Sequence, residues 1–280
     1  MRMMFKILLS ASLSMILFEP SATIAQNGFA IPADMARYSD VADLVTISPV
    51  ILDVRIIKIQ KLPPEQTIGV DVNIQRTVIN ADVLALIRGE KEAAAKVRFV
   101  LDIPKDAKGK IPKLNKQRFF LLGKAVDKRP DLIQLARPDA MIAYSLANDA
   151  LLRAVIKEVV QLDAPPPITG IASAFYSPGT VIGEGNTQIF LRAQNNQPFS
   201  ISVVSRPGRP KQWTVSTSEL IEESAATPQT NTLMWYRLAC ELPRELPARL
   251  IESGGGDNIV RAQADYKYVI DALGPCGRTR

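Results

Sequence analysis

The chain has 280 residues, of which 47% are hydrophobic and 22% are charged, and its formal net charge is +6. This composition is typical of a globular protein with one or two domains. Histidine is absent, which excludes Ser-His-Asp triads, Cys-His pairs and histidine-containing zinc sites.

The N-terminal segment has the order of a secretory signal peptide. Arg2 and Lys6 precede an apolar run over Ile7–Phe18, and small residues end the segment at Ala25. An alternative is a membrane anchor, but a span needs about 20 apolar residues and this run is shorter. We therefore expect residues 1–25 to be removed and the remaining chain to be periplasmic or secreted and not membrane-spanning.

Two cysteines, Cys240 and Cys276, are the only ones in the chain. Their separation does not match a Cys-x-x-Cys motif, and two thiols without histidine do not complete a zinc site. In an exported protein such an isolated pair favours a disulfide bond, and the alternative is two buried free thiols.

The first half of the chain is rich in strand patterns. Apolar residues alternate along Val50–Gln60, and the alternation slips by one residue after Ile56, which predicts a β-bulge. Further strand patterns run from Val70 to Ile87 and over residues 97–103, 117–126 and 132–136. About five strands without a long helix between them favour a small antiparallel barrel of the OB kind, with a flat meander as the alternative.

A helical pattern over Asn148–Leu162, with Asn148 or Asp149 as N-cap, follows the last of these strands. Three prolines then interrupt the chain, which predicts a domain over residues 38–162 and a linker over 163–167.

The second predicted domain, residues 168–280, begins with an antiparallel sheet. Strand patterns cover Ile168–Tyr176, Gln188–Ala193, Phe199–Ser205 and Lys211–Thr217. Two helices follow, one around Trp235–Leu242 and one that begins near Asp257 and ends at Gly274. The predicted fold class is therefore α+β, with the disulfide joining the two C-terminal helices.

Motifs of catalysis are missing from the sequence. It contains no serine-hydrolase elbow, phosphate-binding loop, dinucleotide fingerprint or calcium loop, so we predict no enzyme activity, cofactor or metal. One alternative is a carboxylate-dependent glycan hydrolase using residues such as Asp71, Glu184 or Glu222-Glu223. Another is an inhibitor or accessory protein of an envelope component.

Basic residues are concentrated between positions 105 and 129, a segment that contains nine basic residues and two acidic ones. Much of this charge falls in the predicted loop between the third and fourth strands, at Lys105, Lys108, Lys110, Lys113 and Lys116. We predict that this loop contacts an anionic lipid or glycan surface or an envelope protein, against the alternative that it serves solubility alone. Nucleic acid is not an expected partner, because export removes the chain from it.

Aromatic residues of the second half fall into two groups. Their phases place Trp213, Trp235 and Tyr266 on apolar faces, which predicts core packing, while Tyr236 and Tyr268 are the better candidates for exposed contacts.

Overall fold

A computed structural model describes residues 28–34, 36–90, 92–217, 227–252 and 255–279. The fold is α+β, as the sequence predicts. It consists of a closed five-stranded barrel followed by a helix, then a four-stranded antiparallel sheet with C-terminal helices. The predicted signal peptide, residues 1–25, lies outside the described residues.

The barrel closes in the strand order β1-β2-β3-β5-β4-β1, which is the Greek-key order of an OB-type barrel. Its strands, with a short β6 added beside β4, are β1 Val50–Lys61, β2 Ile74–Arg88, β3 Lys96–Pro104, β4 Arg118–Val126, β5 Arg129–Leu135 and β6 Met141–Ala143. All pairs are antiparallel except β3 and β5, which run parallel and pair at one position.

The long first strand makes closure possible because it pairs with β2 on one side and with β4 on the other. Its register with β2 shifts between Ile56 and Lys58, which confirms the bulge predicted there. A bulge increases local bend and twist, so one strand can turn from one neighbour to the other. The alternating apolar residues of these strands fill the barrel, and Leu52, Val54, Phe99 and Leu101 are buried within it.

β2 begins at Ile74, so the prediction that the strand starts near Val70 is wrong. Asp71 Oδ1 accepts a hydrogen bond from the Asn73 backbone N–H at 2.7 Å, and Ile74 N–H donates to the Asp71 carbonyl at 2.9 Å. Aspartate that bonds to the backbone two residues ahead stabilises a turn at the expense of a strand.

Two helices flank the barrel strands in the sequence. α1 Tyr38–Thr46 was not predicted, and no side-chain cap marks its beginning. α2 Leu146–Val159 begins two residues before the predicted helix, because Ser145 is its N-cap and accepts from Asn148 N–H at 3.1 Å. Asn148, one of the predicted caps, instead donates its side-chain amide to the Ala143 carbonyl at 2.8 Å.

The second sheet has the order β10-β9-β8-β7, from β7 Ile168–Pro178, β8 Gly185–Ala193, β9 Ser200–Ser205 and β10 Gln212–Ser216. All four strands lie where the sequence predicts strands. α3 Leu233–Glu241 is capped by Thr232, and α4 Gly256–Leu273 ends at Gly274 with a φ of 71°. None of the helices in the described part of the chain combines the length and apolarity that a membrane crossing requires.

The cysteine pair joins these helices. The sulfurs of Cys240, in α3, and Cys276, just after α4, lie 2.10 Å apart, which confirms the predicted pairing.

Residues from both sides of the proline segment pack into one continuous cluster, which includes Val41 and Val45 of α1 and Leu238 of α3. Tyr236 of α3 donates a hydrogen bond to Asp43 of α1 at 2.6 Å. Burial raises the pKa of the Tyr236 hydroxyl above its ordinary value, and this hydrogen bond raises it further. The division into domains at residues 163–167 stays a prediction.

Candidate functional site

The loop between β3 and β4 carries the five lysines that the sequence singled out. Lys108, Lys110, Lys113 and Lys116 are exposed, whereas Lys105 is half-buried. Asp106 Oδ1 organises the loop by accepting hydrogen bonds from the backbone N–H groups of Lys108 and Lys110, at 2.9 and 2.8 Å. The lysines are therefore presented by a loop with defined internal hydrogen bonds.

Two contacts fasten this loop to the rest of the barrel. Buried Leu114 anchors its middle, and the Lys116 backbone N–H donates to the Ile56 carbonyl of β1 at 2.8 Å. The exposed end of β1 lies alongside, with Lys58 and Lys61 on it. These two lysines were missed by sequence reasoning, because barrel closure brings them to a loop that lies more than forty positions away in the sequence.

The loop between β1 and β2, residues 62–73, lies at the same end. Lys105 holds it there, since its backbone N–H donates to the Asn73 carbonyl at 2.7 Å and its Nζ donates to the Val72 carbonyl at 2.8 Å. Of the five predicted lysines, Lys105 thus has a positioning contact in addition to its charge. We call this surface the lysine-rich end, defined by Lys58, Lys61, Lys105, Lys108, Lys110, Lys113 and Lys116.

Few carboxylates oppose this charge. Glu65, Asp71 and Asp106 lie in the two loops, and Asp71 and Asp106 are engaged by backbone N–H groups. Within the described residues, the ion pairs involve none of the seven lysines of the lysine-rich end. The result is a surface with a net positive charge, which attracts anionic partners over a long range.

A second feature is a groove of about 900 Å³ on the barrel, where β3 and β5 separate. Apolar side chains that include Val78, Val100 and Leu132 line it, and Arg98 and Arg129 stand beside them. Both arginines pair with Asp131, at 3.1 and 2.8 Å. Hydrogen bonds from Arg129 and Arg98 hold the pKa of the Asp131 carboxyl far below its ordinary value. The charge of these two arginines is therefore partly compensated by ion pairing, unlike that of the lysine-rich end.

The groove also exposes a strand edge. The bonds from Lys105 N–H to the Asn73 carbonyl and from Val83 N–H to the Ala95 carbonyl show that odd-numbered residues of β3 point their backbone groups towards β2. The backbone groups of even-numbered residues therefore point towards β5, which pairs with β3 only at Arg98. No strand among the described residues pairs with the groove-facing backbone groups of Val100 and Asp102.

The carboxylates named for a glycan hydrolase occupy separate places. Asp71 lies in the β1–β2 loop of the barrel, and Glu184 lies in the turn between β7 and β8 of the second sheet. Glu222 and Glu223 fall outside the described residues. In the part of the chain that the structure describes, no three His, Cys, Asp or Glu side chains are grouped to hold a metal ion.

The aromatic residues follow the predicted faces with one exception. Trp213, Trp235 and Tyr266 are buried, as predicted. Tyr236 is only 3% exposed, so the prediction of an exposed contact there is wrong. The reason is that α1 covers this side of α3, and Asp43 of α1 accepts a hydrogen bond from the Tyr236 hydroxyl. Tyr268 is 37% exposed and donates to the Lys211 carbonyl at 2.9 Å.

No protein-family model matches this sequence, and no curated protein matches it. An OB-type barrel hosts many unrelated functions, so the fold alone selects none of them. The surfaces that distinguish this barrel are the lysine-rich end and the groove between β3 and β5.

Proposed function

We propose that this chain is an exported, non-enzymatic module of the cell envelope, periplasmic or secreted, which binds an anionic surface through its lysine-rich end. The observation that carries the proposal is the convergence of seven lysines from two distant chain segments, without ion-pair partners among the described residues. Phosphate-bearing lipid headgroups and anionic glycans share the chemistry that such a surface attracts.

Export is supported by the order of charged, apolar and small residues over positions 1–25 and by the cysteine pair at disulfide distance. A disulfide persists in oxidising compartments and is rare in the reducing cytosol. In the envelope the abundant anionic surfaces are membranes and their glycans, so nucleic acid is not the proposed partner.

Lysines near an anionic membrane surface contribute about 1 kcal/mol each. We expect the quadruple substitution of Lys108, Lys110, Lys113 and Lys116 by glutamine to weaken binding to phosphatidylglycerol-containing vesicles about 1000-fold. Binding of the parent should also fall steeply as salt is raised, because salt screens exposed charges. Vesicle co-sedimentation at several salt concentrations measures both effects.

The matched control replaces four exposed lysines elsewhere, Lys96, Lys124, Lys128 and Lys157, by glutamine, so the net charge changes equally. This control should bind nearly as well as the parent, and circular dichroism should show that both variants are folded. Equal binding by the loop variant and the parent at low salt would contradict the proposal.

A second candidate function is docking of an extended segment of another envelope protein in the groove. The unpaired backbone groups of Val100 and Asp102 favour it, since a free strand edge beside an apolar groove accepts an added strand.

Val100→Pro removes an N–H that faces the groove and leaves the β2 ladder intact, while Val100→Ala keeps that N–H. With a photocrosslinker at Gln134 in intact envelopes, we expect an adduct in Val100→Ala that disappears in Val100→Pro, and an unchanged adduct in both would reject this candidate.

A further inference from the structure

The loop between β1 and β2 presents apolar side chains at the lysine-rich end. Ile68 is 89% exposed and Val72 is 81% exposed. Exposed apolar residues that stand alone are normal on protein surfaces. These two lie four positions apart, in one loop, beside a concentration of unpaired positive charge.

Backbone hydrogen bonds fix the shape of this loop. Val70 N–H donates to the Thr67 carbonyl at 3.0 Å, which closes a turn with Ile68 at its first central position. Gly69 occupies the second central position with a φ of 81°, a conformation that glycine adopts without strain. Ile68 is thereby held at the tip of a tight turn and cannot fold back into the barrel without breaking it.

Val72 is fixed by its neighbours in the same way. The Asp71 side chain accepts from Asn73 N–H at 2.7 Å, and Lys105 Nζ donates to the Val72 carbonyl at 2.8 Å. The ammonium group of Lys105 is therefore hydrogen-bonded to the backbone of the residue that carries the exposed apolar side chain, Val72. A positive charge and an apolar group in direct neighbourhood match the boundary between anionic headgroups and acyl chains.

We propose that the anionic surface bound by the lysine-rich end is a lipid bilayer, and that Ile68 and Val72 insert below the headgroups while the lysines contact the phosphates. The inference rests on the proposed function, because insertion requires that the lysine-rich end faces the surface. A free anionic glycan offers phosphate or carboxylate groups but no apolar layer beneath them. The exposed pair of side chains therefore selects lipid over glycan as the source of negative charge.

The test uses the full chain and vesicles of phosphatidylglycerol and phosphatidylethanolamine. Ile68→Ser and Val72→Ser together leave the net charge unchanged, and we expect them to weaken binding about 100-fold, from about tenfold per inserted side chain. The matched control is Leu162→Ser with Ile182→Ser, since these residues are even more exposed than Ile68 and Val72 but lie outside the lysine-rich end. This control should bind as the parent does.

A direct readout of insertion comes from Ile68→Trp. Its indole fluorescence should shift to shorter wavelength on vesicles and should be quenched by brominated acyl chains. The native tryptophans, Trp213 and Trp235, are buried, so the parent should show little quenching and supplies the baseline.

The outcomes separate the two proposals. If the serine variant binds as the parent does and the new tryptophan is not quenched, insertion is overturned, while loss of binding in the lysine variant leaves the anionic-surface proposal standing. If neither variant loses binding, both proposals fail. A lipid-free probe, dextran phosphate, tests whether the negative charge must come from a lipid. Equal affinity for dextran phosphate and for vesicles would overturn the lipid assignment.

Discussion

Replacing Cys240 by Ser is expected to lower the free energy of unfolding by about 3–4 kcal/mol. The bond to Cys276 closes a loop across a sequence separation of 36 residues, and in the chain-entropy model such a loop restricts the unfolded chain by this amount. For a chain of this size the loss corresponds to a fall of about 10 °C in the melting temperature. Calorimetry under oxidising conditions measures it.

The structure adds a local reason for a large effect. The C-terminal segment that follows the disulfide crosses to α1, where Arg278 binds the Asp43 carboxylate at 2.8 Å through two nitrogens. Thr279 binds both oxygens of Asp40, at 2.9 and 2.6 Å. Without the disulfide, these contacts and a hydrogen bond from Arg37 to the Gly277 carbonyl at 3.4 Å hold the segment against α1.

Reductant supplies the control for this prediction. Dithiothreitol should lower the melting temperature of the parent to that of Cys240→Ser and should leave the variant unchanged. Cys276→Ser should reproduce the loss, and the double variant should add nothing to it. An identical melting temperature for parent and variant, with and without reductant, would exclude a stabilising bond.

Replacing Arg118 by Met is expected to lower the free energy of unfolding by about 3 kcal/mol at neutral pH. Arg118 of β4 binds the two carboxylate oxygens of Asp53 of β1, at 2.8 and 2.5 Å, and the Asp53 side chain is only 3% exposed. Hydrogen bonding to Asp53 raises the pKa of the Arg118 guanidinium above its ordinary value. Removing the arginine leaves a buried carboxylate without its partner at the seam where the barrel closes.

The figure lies at the low end for a buried pair because the Arg118 side chain is 36% exposed, so water screens part of the interaction. The guanidinium also lies 3.5 Å from the centre of the Tyr144 ring, and methionine keeps some of this packing. Urea titration of Arg118→Met, Asp53→Asn and the double variant measures the coupling. We expect the double variant to recover part of the loss, because the uncompensated charge is gone, and additive losses would contradict this account.

Several elements could be predicted because their signals are local. The bulge after Ile56 follows from one slip in apolar alternation, and the end of α4 follows from Gly274 before a proline. The pairing of Cys240 with Cys276 follows from the absence of other cysteines. In each case neighbours in sequence, or the lack of competitors, determine the structure.

Other features depend on contacts between distant segments. α1 spans nine residues and has no side-chain cap, so although Val41, Leu44 and Val45 follow helical spacing, the helix depends on packing against α2 and α3. Tyr236 is buried because α1 covers it, which the periodicity of α3 alone does not reveal.

The sequence by itself determined an α+β chain with a bulged first strand, one cysteine pair and a lysine-rich loop, because strand period, turn residues and composition act over short distances. Only the tertiary structure decided that Lys58 and Lys61 join this loop, that Ile68 and Val72 stand beside it and that β3 keeps a free edge. Those features arise when the barrel closes, since closure sets which ends of β1, β2, β3 and β4 meet and where two strands must part.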